Sequence, residues 1–455
     1  MKGFNIKNIV GKKITIIGSG LSGMAAAKLA SYLGANVFIS DRNKISKNFG
    51  QYSKNIKYEE GIHSNRCYDC DCAIISPGIS TNNSFFNAFK SKKIQIISEI
   101  EFAFWFTKST IIAMTGSNGK STTVSLLKSV LINHNKNTYL GGNIGVPFSE
   151  NVLHQLENNV ENSIHILELS SFQLERIDCF KPKIACILNL SEDHLDRYAS
   201  IKDYYNAKFN ILKNLNNNCY FIYNENEKNL YKNINLKNFN SIKFGIKQNK
   251  SKYYLDVNNT IKDRQTDKIL LNCDKLHLKG KHNIENILVV LQISELLKID
   301  DTIISQSILG FYPLEHRMEI IRKKSNVTFI NDSKGTNTSS TIQAIKSSKQ
   351  KTILILGGYS KGRVNYKGIF NITLKNIKHI VCYGVEGKSI YKQLKNIFIC
   401  TYIENFEKAI ISAIALAKAN YRVLLSPACS SFDQFNNFEE RGNKFKELVK
   451  NYSTA

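Results

Sequence analysis

Short apolar runs alternate with helical stretches along the chain. The first run, KITIIG at 13–18, is followed by the helical stretch LSGMAAAKLASYLG and by the runs ANVFISD and CAIISPG. Apolar runs of about four to eight residues, separated by segments of helix length, are typical of βαβ units with buried parallel strands. The pattern therefore predicts an α/β domain at the N-terminus.

The same alternation starts again twice. STIIAMTG begins at 109 and is followed by STTVSLLKSVLINH, SIHILEL and IACILNL; beyond FYPLEHR, the runs VTFINDS, TILILGG, KHIVCYG and RVLLSPA alternate with helical stretches. A single hydrophobic core stops growing at roughly 250 to 300 residues, so a chain of 455 residues needs several domains. We predict three α/β domains, 1–107, 108–313 and 314–455, each with a mostly parallel sheet flanked by helices.

The segment from about 214 to 279 does not follow this pattern. It is polar, rich in lysine and weakly periodic. We expect irregular or short antiparallel structure there, attached to the central domain.

Lysine and arginine outnumber aspartate and glutamate by 62 to 37, which gives a net charge of +25. Such a charge favours polyanionic partners when it is gathered on one face. Here the lysines are spread among many Asn and Ile residues, as in KNINLKNFNSIKF, which is typical of AT-rich codon usage. We predict no nucleic-acid partner, although a substrate with several phosphates would gain from the field.

Ten cysteines occur without a secretory signal near Met1 and without an apolar stretch approaching the ~20 residues of a membrane span. This favours a cytoplasmic protein with reduced thiols. One cluster, His63, Cys67, Cys70 and Cys72, has the spacing of a zinc site. Cys72 begins a strand-like run, where successive side chains point to opposite faces. Buried structural thiols are therefore favoured, and zinc is the alternative.

The segment MTGSNGKSTT at 114–123 lies between a strand-like run and a helical stretch. In this order, glycines let main-chain N–H groups surround phosphate oxygens, and the helix N-terminus adds its positive end. Lys120 would reach the outer phosphates of ATP, and the Ser121 hydroxyl would bind Mg²⁺. The generic loop has glycine where this chain has Met114, so the match is to a shorter variant, TGxxGKS. The loop residues assigned to ATP are Thr115, Gly116, Ser117, Asn118, Gly119, Lys120, Ser121 and Thr122.

A second glycine cluster, Gly18, Gly20 and Gly23, also lies between a strand and a helix. Asp41 ends the next strand ~20 residues further on, where a ribose-binding acid would lie. Taken alone, this pattern favours a dinucleotide-dependent oxidoreductase. The same turn binds any diphosphate, so two phosphate loops in one chain also fit two phosphorylated substrates.

Acidic residues and a histidine follow two strand-like runs of the central domain. Glu168 ends SIHILEL, and Asp193, His194 and Asp196 follow IACILNL. Ligands of α/β sheets bind beyond the carboxyl ends of the strands, and Mg²⁺ prefers oxygen ligands. Helix-capping acids and a solvated loop are the alternative for either segment in isolation. Together with the phosphate loop, they indicate one site for metal-assisted phosphoryl transfer.

At this point the sequence resembles the Mur ligase family, cytoplasmic enzymes that add amino acids to UDP-N-acetylmuramic acid. The resemblance covers nearly the whole chain, through the ordered blocks TGSNGKST, GGNIG, ELSSFQLE, NLSEDHLDRY, GKHNIEN, EHRME, NDSKGTN and LLSPACSSFDQFNNFEERG. The third and last blocks most resemble the members that add D-glutamate. The DNPR motif of the members that add diaminopimelate or lysine is absent.

The resemblance implies a Rossmann-like N-terminal domain, a central P-loop ATPase-like domain and a Rossmann-like C-terminal domain. It also assigns residues to each substrate. The first glycine cluster becomes a nucleotide-sugar site, which disfavours the oxidoreductase. The residues implied for the UDP substrate are Ser19, Gly20, Leu21, Ser22, Asp41, Arg42, Gly78 and Asn143. Those implied for ATP, beyond the loop, are Asn286, Arg317 and Asp332; those for D-glutamate are Lys334, Thr336, Lys361, Ser431 and Phe438. The stretch YSKGRVNY around Lys361 departs from the usual loop of the family.

The family further implies two Mg²⁺ ions, one held by Ser121 and Glu168 and the other by His194 and a carbamylated Lys208. Carbamylation converts an ammonium into an anion that can hold a cation. From the residues alone, Lys208 is interpreted as a solvated helix lysine. The implied catalytic residues are Lys120, His194 and Lys208.

The implied reaction is the ATP-dependent joining of D-glutamate to UDP-N-acetylmuramoyl-L-alanine through an acyl phosphate, giving ADP and phosphate, by a monomer in peptidoglycan precursor synthesis. A sister ligase adding another amino acid is one alternative. Folylpolyglutamate synthetase is disfavoured by the N-terminal domain with its own diphosphate loop. A catalytically inactive nucleotide-binding homologue is disfavoured by the presence of Lys120, Glu168, His194 and Lys208.

Overall fold

A computed structural model gives the fold of the chain. It describes residues 8–45, 49–79, 84–194, 197–232, 234–246, 251–324, 326–360, 364–367 and 376–452. The chain divides into two compact units. The first contains Met1–Leu190, Lys202–Asp274 and Glu285–Leu309, and the second contains Ser191–Ile201, Lys275–Ile284 and Gly310–Ala455.

The first unit begins with a five-stranded parallel sheet in the order β3-β2-β1-β4-β5. The predicted runs KITIIG, ANVFISD and CAIISPG form β1, β2 and β4. The edge strands β3 and β5 lie outside the predicted runs because each buries only part of its side chains. The bounds are β1 Lys13–Ile17, β2 Asn36–Asp41, β3 Ile56–Glu60, β4 Cys72–Ile75 and β5 Gln95–Ser98.

Helix α1, Leu21–Tyr32, is rich in alanine, and its small buried side chains allow close packing on the sheet and on helix α5, Phe148–Glu157, of the central region. The described helices of the first region are α1 Leu21–Tyr32, α2 Ser84–Ser91 and α3 Glu99–Phe104. The buried carboxyl of Glu99 accepts a hydrogen bond of 2.5 Å from the main-chain nitrogen of Ser149, which is in the first turn of α5. Burial raises the pKa of Glu99 to about 7, and the Ser149 contact opposes that rise. The first and central regions therefore share one core.

The central sheet has six parallel strands in the order β11-β10-β9-β6-β8-β7. The strands predicted from STIIAMTG, SIHILEL and IACILNL are β6, β8 and β9. The bounds are β6 Thr110–Thr115, β7 Thr138–Gly142, β8 Ile164–Glu168, β9 Ile184–Ile187, β10 Tyr220–Asn224 and β11 Asn240–Phe244. The described helices here are α4 Lys120–His134, α5 Phe148–Glu157, α6 Ser171–Leu174, α7 Ile201–Phe209, α8 Lys281–Leu296 and α9 Asp301–Leu309.

The expectation for 214–279 is right for one half of the segment and wrong for the other. Residues 253–272 form a three-stranded antiparallel sheet, β12 Tyr253–Leu255, β13 Thr260–Asp263 and β14 Ile269–Asn272. Strands β10 and β11 instead extend the central parallel sheet. Polar residues interrupt β11 because this edge strand buries only Phe244 fully, whereas β10 is almost completely buried.

The second unit contains a six-stranded sheet in the order β15-β16-β20-β17-β18-β19, parallel except for the edge strand β15. Four of its strands follow the predicted runs. The bounds are β15 Glu319–Lys324, β16 Val327–Asn331, β17 Lys351–Gly357, β18 Ile377–Tyr383, β19 Cys400–Tyr402 and β20 Tyr421–Ala428. The described helices are α10 Thr338–Lys346, α11 Gly384–Leu394, α12 Phe406–Ala415 and α13 Phe438–Asn451.

Three mostly parallel sheets flanked by helices confirm the predicted α/β class. The domain boundaries near 107 and 313 stay predictions. Because parallel strands place their carboxyl ends at one edge of a sheet, the loops after β6, β8 and β9 converge there. Within the described ranges, no helix is both long enough and apolar enough to cross a membrane.

Candidate active site

The phosphate-loop segment connects β6 to α4. Gly116 and Gly119 have φ angles of +151° and +83°, which favour glycine, and Gly119 is the residue that precedes the first turn of α4. A Cβ atom at Gly119 would lie 2.7 Å from Oδ1 of Asn286, so this asparagine packs directly on the loop. The structure therefore brings together the loop and Asn286, both predicted to bind ATP.

Two lysine side chains converge on this loop. The Nζ atom of Lys120 donates to the carbonyl oxygens of Gly116 and Ser117 at 2.7 and 3.1 Å. The Nζ atom of Lys208 donates to the same Gly116 oxygen at 2.9 Å and lies 4.7 Å from the ring centroid of Tyr204. Lys208 is only 2% exposed, so its interpretation as a solvated helix lysine is wrong. The side chains of both lysines therefore meet at the Gly116 carbonyl oxygen of the phosphate loop.

Glu168 and Asn143 meet at the neighbouring strand ends. The Nδ2 atom of Asn143 donates to Oε1 of Glu168 at 2.7 Å, and the Asn143 main-chain nitrogen donates to the Glu168 carbonyl oxygen at 2.8 Å. Gly142 has φ +98°, and a Cβ there would lie 2.3 Å from that carbonyl oxygen. Met114 pairs with Glu168 in the sheet, so the carboxylate lies at the same sheet edge as the loop. Glu168 and Ser121, both about 1% exposed, supply the oxygen atoms that Mg²⁺ prefers, and the donor set fits that metal.

The first glycine cluster has its own acidic partner. The Oδ2 atom of Asp41 accepts hydrogen bonds from the main-chain nitrogen and the hydroxyl of Ser19, at 2.6 and 2.8 Å. Burial opposes ionisation of Asp41, but the bonds from Asn43 and Ser19 outweigh it, and its pKa lies below the ordinary value. The structure thus joins two residues predicted for the UDP substrate.

The other residues of this domain that are predicted for the UDP substrate lie at the start of α1 or after the strands β2 and β4. Gly20 precedes α1, Leu21 opens that helix with 81% of its surface exposed, and Gly78 follows β4. A Cβ atom at Gly23 would lie 1.9 Å from the Gly18 carbonyl oxygen, so the turn requires glycine at that position. Ser22 lies in the first turn of α1, and Arg42 directly follows β2.

The residues of the zinc alternative make other contacts. The Nδ1 atom of His63 lies 2.7 Å from the Ser40 hydroxyl, and Cys67 Sγ donates to Glu59. Cys72 Sγ is directed to main-chain carbonyl oxygens, and burial raises its pKa. In the described part of the chain, no three His, Cys, Asp or Glu side chains are gathered as metal ligands. Cys67 and Cys72 are buried thiols, as predicted, and Cys70 is partly exposed.

Asp193 and His194 belong to the second compact unit. His194 has φ +56°, and its main-chain nitrogen donates to Oδ1 of Asp193 at 2.9 Å. The other carboxylate oxygen of Asp193 accepts from Nδ2 of Asn337 at 3.3 Å. Asp196, the third member of this predicted group, lies outside the described residues.

Arg317 and Asp332, predicted for ATP, lie close together in the second unit. Burial raises the pKa of Asp332 to about 6, and the Ser426 hydroxyl at 2.7 Å and the Arg317 charge oppose that rise. A Cβ at Gly335 would lie 2.6 Å from Asp332 Oδ2, so glycine lets the chain turn tightly around this carboxyl. The neighbouring His316 ring, which is buried, contacts Asn331 Nδ2 at 2.9 Å.

Three of the residues predicted for D-glutamate lie around Arg441. Lys334 Nζ is 4.8 Å from the ring centroid of Phe438, and the Ser333 hydroxyl donates to the Phe438 carbonyl oxygen. The Arg441 guanidinium is fully buried and donates to both the hydroxyl and the carbonyl oxygen of Ser333. It also donates to Tyr383 and to the carbonyl oxygens of Cys429 and Ser430, next to Ser431.

Thr336 follows in the same turn, where its nitrogen donates to the Lys334 carbonyl oxygen. Lys361 lies outside the described residues. Sequence reasoning missed the role of Arg441 as the link between the Ser333 and Ser430 loops. Arg441 lies in the family-like block FEERG, which marks it as a candidate functional residue. The sequence of that block does not reveal which loops the side chain connects.

Three family models match the chain. They are the MurD N-terminal domain over residues 13–85, the Mur ligase middle domain over 114–294, and the Mur ligase glutamate ligase domain over 316–429. The matched ranges contain both phosphate loops and the turn at Lys334.

Two relatives are similar over nearly their whole length. A protein of Christiangramia forsetii named UDP-N-acetylmuramoylalanine--D-glutamate ligase is 38% identical over 451 residues, covering 97% of this chain and 100% of the relative. A protein of Clostridioides difficile with the same name is 35% identical, covering 98% and 99%.

Solved structures support the same fold. The UDP-N-acetylmuramate-alanine ligase MurC of Thermotoga maritima is 19% identical with a TM-score of 0.61, covering 97% of this chain and 99% of that chain. A pseudomurein peptide ligase type C of Methanothermus fervidus is 17% identical with a TM-score of 0.62, covering 97% and 100%. At these identities the likeness concerns the fold.

Proposed function

The chain belongs to the Mur ligase family and is an enzyme of that family, and we propose that it adds D-glutamate to UDP-N-acetylmuramoyl-L-alanine at the expense of ATP. The observation that carries this proposal is the similarity over nearly the whole chain to relatives named for that reaction. The product would be a peptidoglycan precursor, and we place the enzyme in the cytoplasm as a monomer.

The reaction begins with a chemical difficulty, because a carboxylate is a poor acyl donor. We propose that the carboxylate of the UDP substrate attacks the γ-phosphate of ATP and forms an acyl phosphate, with ADP as the leaving group. Lys120 would neutralise part of the negative charge that gathers on the transferred phosphoryl group. The main-chain N–H groups at the start of α4 would bind the adjacent phosphates.

Ser121 and Glu168 would hold one Mg²⁺, and His194 with a carbamylated Lys208 would hold a second. Bound Mg²⁺ supplies charge neutralisation for phosphoryl transfer. Asn143 orients the Glu168 carboxylate through its 2.7 Å hydrogen bond to Oε1. The position of Lys208 supports this proposal, because its buried Nζ atom lies 2.9 Å from the Gly116 carbonyl oxygen of the phosphate loop.

In the second step, the D-glutamate amine would attack the acyl phosphate through a tetrahedral intermediate, and phosphate would leave. Lys334, with Thr336, Lys361, Ser431 and Phe438, would bind the incoming amino acid. The Lys334 ammonium lies over the Phe438 ring and is suited to a substrate carboxylate. Arg317, Asp332 and Asn286 would contact the nucleotide.

Two alternative functions can be distinguished from this proposal by one phosphate-release assay. A sister ligase would use the same phosphate loop and add a different amino acid. An inactive homologue would bind nucleotide and release no phosphate.

Release of phosphate from ATP, measured with UDP-N-acetylmuramoyl-L-alanine and a panel of amino acids, tests the proposal. We expect release with D-glutamate and only background release with L-glutamate, L-alanine or diaminopimelate. Equal release with another amino acid would identify a sister ligase. Nucleotide binding without release under any condition would support the inactive homologue.

A further inference from the structure

The turn that follows β9 makes side-chain and main-chain contacts with the phosphate loop. The main-chain carbonyl oxygen of Asn189 accepts from the Ser117 nitrogen at 2.9 Å. Its side-chain Oδ1 accepts from the Asn118 nitrogen at 2.8 Å, and its Nδ2 donates to the Asn118 carbonyl oxygen at 2.9 Å. One residue therefore makes three hydrogen bonds with two adjacent residues of the loop.

These contacts engage two main-chain donors of the loop. The Ser117 and Asn118 nitrogens both donate to Asn189, directly before the loop enters α4. Gly116 completes the contact, since a Cβ atom there would lie 3.2 Å from the Asn189 carbonyl oxygen. The loop thus keeps its shape by bonds to the β9 turn.

A second contact fixes the turn itself. The Oε2 atom of Glu227 accepts from the main-chain nitrogen of Leu190 at 2.9 Å. Burial raises the pKa of Glu227 to about 7, the Leu190 bond opposes that rise, and the nearby Glu285 reinforces it. Glu227 thereby anchors Leu190, the residue next to Asn189.

We propose that Asn189 is a positioning residue that holds the phosphate loop in its binding shape, with Glu227 as its anchor. This inference rests on the proposed binding of ATP at the loop. Asn189 holds Asn118 through an amide that pairs with both main-chain groups, as a neighbouring strand would. Pre-formed donors lower the ordering cost of binding, so the expected effect falls on nucleotide affinity.

Asn189→Ala and Asn189→Asp test the side-chain pair. The alanine variant removes both side-chain bonds, and the aspartate variant keeps an acceptor for the Asn118 nitrogen but faces the Asn118 carbonyl oxygen with a second oxygen. Asn214→Ala is the matched control, because Asn214 also donates to two carbonyl oxygens, those of Asp178 and Phe180, away from the loop. The dissociation constant for the non-hydrolysable ATP analogue AMP-PNP with Mg²⁺ is measured by calorimetry on the full chain, beside KM values and the melting temperature.

We expect both Asn189 variants to bind AMP-PNP about 10- to 30-fold more weakly and to raise the KM for ATP by a similar factor. The KM for the UDP substrate should stay within about twofold of wild type, and the control should bind AMP-PNP like wild type. A merely structural role would lower the melting temperature and shift both KM values together. That result, or unchanged AMP-PNP affinity, would overturn the inference.

Glu227 gives a second test that does not depend on how Asn189 variants fold. Glu227→Ala should weaken AMP-PNP binding about three- to tenfold, and Glu227→Gln, which keeps an oxygen for the Leu190 nitrogen, should restore it. Failure of the glutamine variant to restore binding would contradict the anchor. If the wild-type chain itself binds no AMP-PNP, the proposed function fails; if it binds normally and only the variants show no change, this inference alone fails.

Discussion

Substitution of two buried arginines, Arg441 and Arg422, tests whether the hydrogen bonds of Arg441 position the loops of the proposed D-glutamate site. Arg441 makes five hydrogen bonds, to Ser333 Oγ and O, Tyr383 Oη, Cys429 O and Ser430 O. In Arg441→Lys the charge is kept, but an ammonium has three donors, so at least two acceptors lose their partner. At ~1–2 kcal/mol each, the variant should lose about 2–4 kcal/mol of stability.

Arg422 is the matched control in the same unit. It is also fully buried, and it donates to Thr352, Ala344, Ser347 and Ile345. Arg422 lies at the beginning of β20, whereas Cys429 and Ser430, two of the three main-chain partners of Arg441, directly follow the end of that strand. Arg422→Lys should therefore lose about 1–3 kcal/mol without moving the Ser430 loop.

Steady-state kinetics with D-glutamate as the varied substrate separate the two roles. If displacement of the Ser333 and Ser430 loops weakens the binding free energy of D-glutamate by ~2 kcal/mol, Arg441→Lys should raise the KM for D-glutamate about 30-fold. Arg422→Lys should leave that KM within about twofold of wild type, although both variants should melt several degrees lower. Equal KM values in the two variants would refute the positioning argument, because they would show that lost stability alone explains the change.

Three further predictions follow from the site and its surroundings. Lys208→Ala should be nearly inactive in the phosphate-release assay and partly restored by short carboxylic acids, and full activity without them would contradict the carbamate. Lys120→Met should lower kcat by about 10²- to 10³-fold with little change in the KM for D-glutamate, because the lysine acts on charge that gathers during phosphoryl transfer. The pKa of Glu99 is about 7 in the folded chain, above its ordinary value of 4.5, so its contribution to stability is full below pH ~4.5 and is lost as the pH rises through about 7. Glu99→Gln should therefore raise the free energy of unfolding by on the order of 3 kcal/mol at about pH 8, and with it the melting temperature, but should have no such effect at about pH 4.5. A difference independent of pH in thermal melts would refute this reasoning.

The sequence alone was sufficient for the class of fold and for the two phosphate-binding turns. Buried parallel strands such as β6, β8 and β17 are continuous apolar runs, because both of their faces are covered. The glycines of the turns are equally visible, since Gly119 must take a left-handed conformation and Gly23 must let a carbonyl oxygen approach. Edge strands such as β3 and β15 were not visible, because a strand covered on one side has no such run.

The tertiary structure decided which side chains share a site. Lys208 looks like a solvated helix lysine in the sequence, yet it is buried against Gly116, 92 residues away. Asn189 and Arg441 act through main-chain atoms of distant loops, and such contacts place no requirement on the residue type of the partner. Hydrophobic periodicity records only how each element is buried, so it determines helices and strands. The pairing of a side chain with a distant carbonyl or N–H group depends on how the sheets bring the loops together, and only the folded chain contains that information.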